Sequence, residues 1–313
     1  MSPSPNVSVR INLPRIRQNV LDITRRTGVP VIAVVKADAY GLRAQRIAIA
    51  IGDLVAGFYV LSITEAIAAK LHEITGKRTI ALMGESNDPD DYIRQGVHPV
   101  VWTTDRASAL KRAKPILSVD TGQGRFACRR SDVADVVRAG DIHEAMTHAS
   151  TLDQVQNFQS ILNEQPGGAE RFFKHAAGSS LLNEPAAWLQ AARPGLALYN
   201  DTVRVSTTLL EVKESTGPAG YTGFRVPRFG LILAGYSNGL SAGPCLINGK
   251  IQRILEVGMQ SAFVEVDPHD QSGDEVVLLG DQLNVQTIAK EWIKTPQEVL
   301  LRLSSCGCIT NDQ

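Results

Sequence analysis

Aromatic side chains are scarce in this chain, at 5% of residues, and neither charge is in excess: Lys and Arg number 32, as do Asp and Glu. The first shortage argues against an aromatic-rich binding module. With aliphatic residues plentiful, it leaves a large α/β core. The balance of charge argues against nucleic acid as a partner, because nucleic-acid binders usually carry a basic surplus. No block of like charges marks a polyelectrolyte tail. No apolar run reaches the length of a membrane span; Ile47–Ile51 is short and flanked by Arg46 and Asp53. The opening Met-Ser-Pro-Ser-Pro-Asn lacks the basic and apolar regions of a signal peptide. Four cysteines, Cys128, Cys245, Cys306 and Cys308, are too few and too scattered in 313 residues for a disulfide framework. These absences lead to the expectation of a cytoplasmic enzyme with a small-molecule substrate and neither membrane nor nucleic acid as partner.

What is present is a regular alternation. Short β-branched runs at Pro30–Val35, Phe58–Leu61, Thr79–Met83, His98–Trp102, Ile116–Val119, Glu144–Thr147, Arg171–His175 and Gly195–Tyr199 read as about eight strands. Helical stretches lie between them: Pro14–Thr27, Leu42–Ile51, Ile63–Ile74, Thr104–Lys114, Arg130–Ala139, Leu152–Asn163 and Glu184–Gln190. Eight strands spaced as βα units predict a parallel (β/α)₈ barrel of the TIM type over residues 1–202. After Thr202 the texture changes to Gly, Pro and short β runs: Arg204–Val212, Arg228–Ala234, Gln252–Val257, Ala262–Val266 and Glu275–Leu279. Residues 203–313 therefore read as a mainly antiparallel β domain, with a helix over Glu291–Leu303. No internal repeat is present.

In a parallel barrel the chemistry sits where strands end. Lys36 follows five apolar residues, Val31–Val35. Its ammonium either reaches out to water or sits in a pocket where desolvation lowers its pKa and frees the amine as a nucleophile. Position alone favours the first, a lysine reaching off the strand end into water. Other strand ends are polar too: Asp120 leading to Arg125, Thr147-His148, His175 leading through Ala-Ala-Gly to Ser179-Ser180, and Arg193 ahead of Pro194-Gly195. The Gly-Ser-Ser turn suits a phosphate, because small residues leave backbone amides free.

The segment Ala33-Val34-Val35-Lys36-Ala37-Asp38-Ala39-Tyr40-Gly41 resembles the cofactor-lysine motif of the alanine racemase family. Ser62–Ala66, Val119–Arg125, Thr147-His148, His175–Ser180 and Arg193–Tyr199 follow in that family's order. So do Gly235–Gly239, Gly258-Met259-Gln260 and Gly273–Gly280. The resemblance covers nearly the whole chain. It implies pyridoxal 5′-phosphate as cofactor, with no metal, covalently carried by Lys36, which is also one of two catalytic bases. It implies that Tyr40, Ser179 and the backbone of Gly195 and Leu196 hold the phosphate. His148 lies against the pyridine ring, Arg125 meets the 3-oxygen, and Arg193 meets the ring nitrogen. An arginine there cannot protonate that nitrogen. The cofactor is then a poor electron sink, which favours proton removal and return at Cα over transamination. The second base is implied to be Tyr221, supplied by the other subunit of a homodimer, and Met259 and Gln260 join Arg125 at the substrate.

The sequence departs from the family pattern in places. Leu42-Arg43 follow Gly41 where His-Gly is usual, and Ser118 stands where a modified lysine supports the Arg125 position. Gln260 replaces an aspartate, and Ser304–Asn311 replaces a basic stretch that ends in a phosphate-binding tyrosine. Cys306 or Cys308 offers a thiol near that place. Three readings follow. The chain is a racemase of alanine or another small amino acid, a decarboxylase-like relative, or a cofactor-carrying protein without turnover.

Overall fold

The computed structural model describes residues 3–311. The chain divides into two compact units, one of Ile16–Ala39 and Arg43–Tyr199, the other of Met1–Arg15, Tyr40–Leu42 and Asn200–Gln313.

The first unit is the barrel. Its strands are β2 (Ile32–Val34), β3 (Gly57–Ser62), β4 (Arg78–Met83), β5 (Val97–Val101), β6 (Ile116–Ser118), β7 (Glu144–Ala149) and β8 (Phe173–Ala177), all parallel and in sequence order. β1 (Ser4–Ile11) belongs to the other unit. Helices between the strands cover the outer face by apolar stripes. Over Val133–Gly140, for example, Val133, Val136, Val137 and Gly140 are buried, the 3.6-residue spacing of one helix face. The helical stretch expected over Ile63–Ile74 is two helices, Ile63–Ala68 and Leu71–Thr75, broken where Lys70 turns left-handed at φ 52°.

The eighth stave is the main departure from the sequence reading. Gly195–Tyr199 is not a strand; Leu196–Tyr199 forms a short 3₁₀ turn with Leu198 and Tyr199 buried. A brief apolar run does not separate strand from buried helix, because both are satisfied by the same composition. Closure falls instead to the residues just before it. Ala192 bridges to Val31 and Ala191 to His175, both in parallel sense. Ala192 N–H donates to Pro30 O (3.0 Å), Ile32 N–H to Ala192 O (2.8 Å), and Arg193 N–H to Ala177 O (2.7 Å). The barrel thus closes through a minimal strand that delivers Arg193 to its rim.

The second unit is a nine-stranded, mostly antiparallel sheet. Its later strands are β9 (Val203–Thr208), β10 (Glu211–Glu214), β11 (Arg228–Ile232), β12 (Gly243–Ile247), β13 (Lys250–Val257), β14 (Ala262–Glu265), β15 (Glu275–Leu279) and β16 (Gly307–Asn311). β1 pairs antiparallel with β9 and parallel with β16, so the opening residues complete this sheet rather than the barrel. The expected division at 202/203 differs in that respect. Val7, Val9 and Ile11 are buried and alternate with less buried neighbours, the period-two pattern of a strand. The single helix expected over Glu291–Leu303 is two, Val285–Trp292 and Pro296–Ser304, each started by an Asn or Thr cap.

Candidate active site

Lys36 follows β2, and the backbone after it is unusual. Ala37, Asp38 and Ala39 have φ of 53°, 52° and 55°, and Tyr40 continues at 59°. Left-handed backbone costs an L-residue about 1–2 kcal/mol, so a run of four without glycine persists only if its surroundings hold it. Glu65 does part of this. One of its carboxylate oxygens accepts Ala37 N–H at 2.8 Å and the other accepts Leu61 N–H at 2.7 Å. Asp38 accepts Ala44 N–H at 2.7 Å and so anchors the start of the next helix. The Lys36 ammonium is half-buried and its pKa is lowered, chiefly by desolvation and then by the positive charge of Arg125; Glu65 opposes the shift and Arg193 adds to it. Burial and neighbouring cations thus favour the neutral amine.

Arg193 is buried. It donates through Nη2 to Thr147 O and to Ala176 O (3.4 Å), through Nη1 to Met146 Sδ (3.5 Å), and it lies 5.5 Å over the Tyr59 ring. Its Nε is buried without a partner among the described residues. Leaving a charged donor unmet in a protein interior is costly, so this atom has an unused capacity to donate. Burial lowers its pKa, yet a guanidinium stays protonated at any physiological pH. His148, near the end of β7 with its side chain partly open to solvent, is brought down to about 4 by partial desolvation and by the charges of Arg193, Arg125 and Lys36, which leaves it neutral at pH 7.

Ser179 follows β8, in the turn read as a phosphate site. Its Oγ accepts the backbone N–H of Gly195 (3.0 Å) and of Ala197 (3.1 Å). Two amides therefore converge on one hydroxyl. Arg125 is exposed on a loop shaped by Asp120, which accepts Gly122 N–H (2.9 Å) and Gly124 N–H (3.0 Å). It stacks 5.6 Å over Phe126 and forms no ion pair among the described residues. Ser118, on β6, is buried.

At the opposite end of the barrel strands His175 donates from Nε2 to Glu144 (3.0 Å), which also takes Arg78 at 2.5 Å. Burial alone would raise the Glu144 pKa, but the hydrogen bonds from His175 and Arg78 prevail and bring it to about 2. His175 is held at about 4, chiefly by burial. This cluster buttresses the barrel floor.

In the second unit Tyr221, Met259 and Gln260 are exposed, Tyr221 by 91%. Tyr236 N–H donates to Gly258 O (2.9 Å) and Ser237 N–H to Met259 O (3.0 Å), which ties the Gly235–Gly239 turn to Gly258–Gln260. A Cβ on Gly235 would stand 2.3 Å from Met259 O, so only glycine permits the approach. A Cβ on Gly258 would be 3.8 Å from the Tyr221 ring, so Tyr221 and Met259 lie on one surface of this unit. Tyr40 also groups with this unit, and burial pushes its phenol up to about 12. The Cys306 thiol is buried and raised to about 12, which leaves it protonated and a poor nucleophile; Cys308 is exposed. Glu65, Tyr59 and Glu256 were not singled out from sequence. Glu65 carried a usable signal, the Ser-x-x-Glu pattern of Ser62–Glu65.

The profile for the alanine racemase N-terminal domain matches residues 11–203, and that for the alanine racemase C-terminal domain matches residues 219–306. The alanine racemase of Neisseria meningitidis serogroup A is 28% identical over 95% of this chain and 97% of its own length. That of Haemophilus influenzae is 28% identical over 90% and 92%. Among solved structures, an alanine racemase from Bartonella henselae with covalently bound pyridoxal phosphate superposes with a TM-score of 0.87 at 20% identity, covering 99% of this chain and 100% of that one. The alanine racemase of E. faecalis gives 0.85 at 22% identity over the full length of both chains. A two-unit enzyme with a barrel and a β domain is the class this architecture defines. The chain belongs to the alanine racemase family.

Proposed function

We propose that this chain racemises a small amino acid, alanine foremost, with pyridoxal 5′-phosphate carried on Lys36, and with Lys36 and Tyr221 as bases on opposite faces of Cα. The residues fit that cofactor. The unpartnered Nε of Arg193 suits an acceptor nitrogen, the small-residue turn at Gly178–Ser180 suits a phosphate, and the Lys36 pKa is lowered towards the free amine. Bound pyridoxal phosphate acidifies the Cα proton of an attached amino acid. Lys36 then moves that proton on one face, and the Tyr221 phenol moves it on the other. Arg193 donates a hydrogen bond without giving up its proton, which limits electron withdrawal and favours return of the proton over other outcomes. Tyr40 and the backbone around Leu196 complete the phosphate site. His148 stays neutral beside the ring. Arg125, Met259 and Gln260 orient the substrate carboxylate.

Tyr221 is supplied in this reading by a second copy of the chain, so the enzyme is a homodimer with composite sites. Its free cysteines, Cys128, Cys245, Cys306 and Cys308, suit a reducing cytoplasm. No helix among the described residues is long and apolar enough to cross a membrane.

The observation that carries the proposal is the buried Arg193 donor without an acceptor, on the same barrel as a lysine whose ammonium is disfavoured. The test is incubation of purified holoenzyme with a panel of L-amino acids in D₂O. Loss of optical rotation with deuterium at Cα is expected. Stoichiometric carbon dioxide with amine would replace this reading with a decarboxylase.

A further inference from the structure

The loop that displays Tyr221 is fixed at two points. At its base Ala219 and Phe224 form an antiparallel bridge, with Ala219 N–H donating to Phe224 O at 2.9 Å. Phe224 packs edge-on to Phe229 and Phe263, at centroid distances of 5.6 and 5.3 Å. At its tip a single side chain takes over. Glu256 Oε1 accepts Tyr221 N–H at 2.8 Å, and Oε2 accepts Thr222 N–H at 2.8 Å and Thr222 Oγ1–H at 2.5 Å.

Glu256 is 7% exposed and has no ion-pair partner among the described residues. The β13–β14 register shifts between Ile254 and Glu256, and such a bulge re-aims a side chain. All three hydrogen bonds of this carboxylate go to the Tyr221–Thr222 turn. Gly220 leaves the space, since a Cβ there would stand 2.7 Å from Glu256 Oε2 at a φ of +69°. The Tyr221 ring itself has little packing, being 91% exposed. Its backbone, held by Glu256, fixes the point from which the phenol projects.

We infer that Glu256 is a positioning residue for the second base: it sets the Tyr221 phenol through the backbone of its turn. This rests on the assignment of Tyr221 under the proposed function. A proton-transfer group displaced by a fraction of an ångström to an ångström loses rate while substrate binding is largely spared. The rate falls for both enantiomers, since each turnover uses both bases, but the Cα isotope signature is one-sided, because only one enantiomer is deprotonated by this base.

The experiment compares holoenzymes of wild type, Glu256→Gln and Tyr221→Phe with both enantiomers of the substrate, each protiated or deuterated at Cα. The amide of Glu256→Gln keeps one acceptor oxygen and turns a second donor against the donors of Thr222. Expected is a fall in kcat of roughly tenfold to a hundredfold with KM little changed. The Cα-deuterium isotope effect should rise for the enantiomer deprotonated by Tyr221 and shrink for the other. A merely structural loss of active enzyme would leave both isotope effects at wild-type values, and that result overturns the inference. If Glu256→Gln does not fold, Thr222→Val leaves the carboxylate in place and should give the same one-sided signature at smaller size. If Tyr221→Phe retains wild-type activity in an active enzyme, the assignment of the second base fails and this inference with it. If Tyr221→Phe is inactive and Glu256→Gln kinetically silent, only the role of Glu256 fails.

Discussion

The turns that carry Lys36 and Tyr221 solve one problem in opposite ways. Each is pinned by a glutamate whose two oxygens take backbone amides: Glu65 on Ala37 and Leu61, Glu256 on Tyr221 and Thr222. The Lys36 turn is left-handed through four non-glycine residues, and its lysine is set among Arg125, Arg193 and Glu65, which tune its proton affinity. The Tyr221 turn relies on Gly220 and Gly223, both at φ +69°, and displays its side chain. On the roles proposed above, the difference teaches that a residue carrying a cofactor needs an environment, whereas a residue serving from outside needs a direction. Backbone strain is found where the environment is built.

The strongest way to break the comparison is to remove each base. Lys36→Ala should abolish visible absorbance and borohydride fixation, and Tyr221→Phe should keep both. Each should lower racemisation by at least roughly 10²-fold, within the range of acid–base catalysis. Mixing the two inactive proteins with subunit exchange should restore activity. No recovery despite shown exchange would place both bases in one chain.

Arg193→Glu probes the environment side next. Losing a buried charged hydrogen bond should weaken cofactor binding by about 1.5–3 kcal/mol. It also puts a protonatable group at the ring nitrogen, so long-wavelength absorption should build up during turnover while racemisation slows. A variant with unchanged spectrum and rate would show that Arg193 lies away from the ring.

Glu65→Gln sharpens the difference between tuning and pointing. Glu65 raises the Lys36 pKa, so removing its charge should lower that pKa further. The pH at which apoprotein captures the cofactor should then move to lower values. An exchanged donor against Leu61 N–H should also cost about 1–3 kcal/mol of stability. The corresponding Glu256→Gln change should leave that capture profile where it is. A shift in both would erase the distinction.

A further effect concerns acid. In the folded chain His175 takes its proton near 4 rather than 6.5, and Glu144 near 2 rather than 4.5. Between these values the unfolded chain binds more protons, so stability rises with pH. It should be fully present above pH 6.5, fall as pH drops to 4 through His175, and fall further below 4.5 through Glu144. Thermal unfolding from pH 7.5 to 3.5 checks this, and His175→Asn should flatten the upper part. Neither turn senses this cluster directly, so an acid loss confined to activity would contradict its role as a buttress.

Much of this was legible in sequence because strand ends announce themselves. A lysine after Val31–Val35 and an arginine before a Pro-Gly step are conspicuous against apolar runs. Seven barrel strands could be read for the same reason. Gly195–Tyr199 misled because its apolar side chains are buried by a 3₁₀ turn as well as they would be by a strand. β12 went unread because Gly243 and Pro244 open a fully buried strand. β16 went unread because Gly307-Cys308-Ile309 has no alternation to reveal it. The two glutamates were hidden for a different reason. Each reaches at least one amide 28 to 35 residues away in the chain, and no local pattern reports that. For Ser62–Glu65 the capping pattern would send the carboxylate back to the cap residue; it goes to Leu61 and Ala37 instead.

The short closing stave has a thermodynamic consequence. Ala191 and Ala192 hold the barrel shut through a handful of hydrogen bonds, and the next residue is Arg193. A seam so brief is where local opening is cheapest, and its amides should exchange hydrogen before those of β3 and β4. Opening there withdraws the guanidinium, so any ligand that engages Arg193 favours the closed seam by mass action. On the proposed contact of the cofactor with Arg193, the two are linked: binding tightens the closure, and a firmer closure strengthens binding in equal measure.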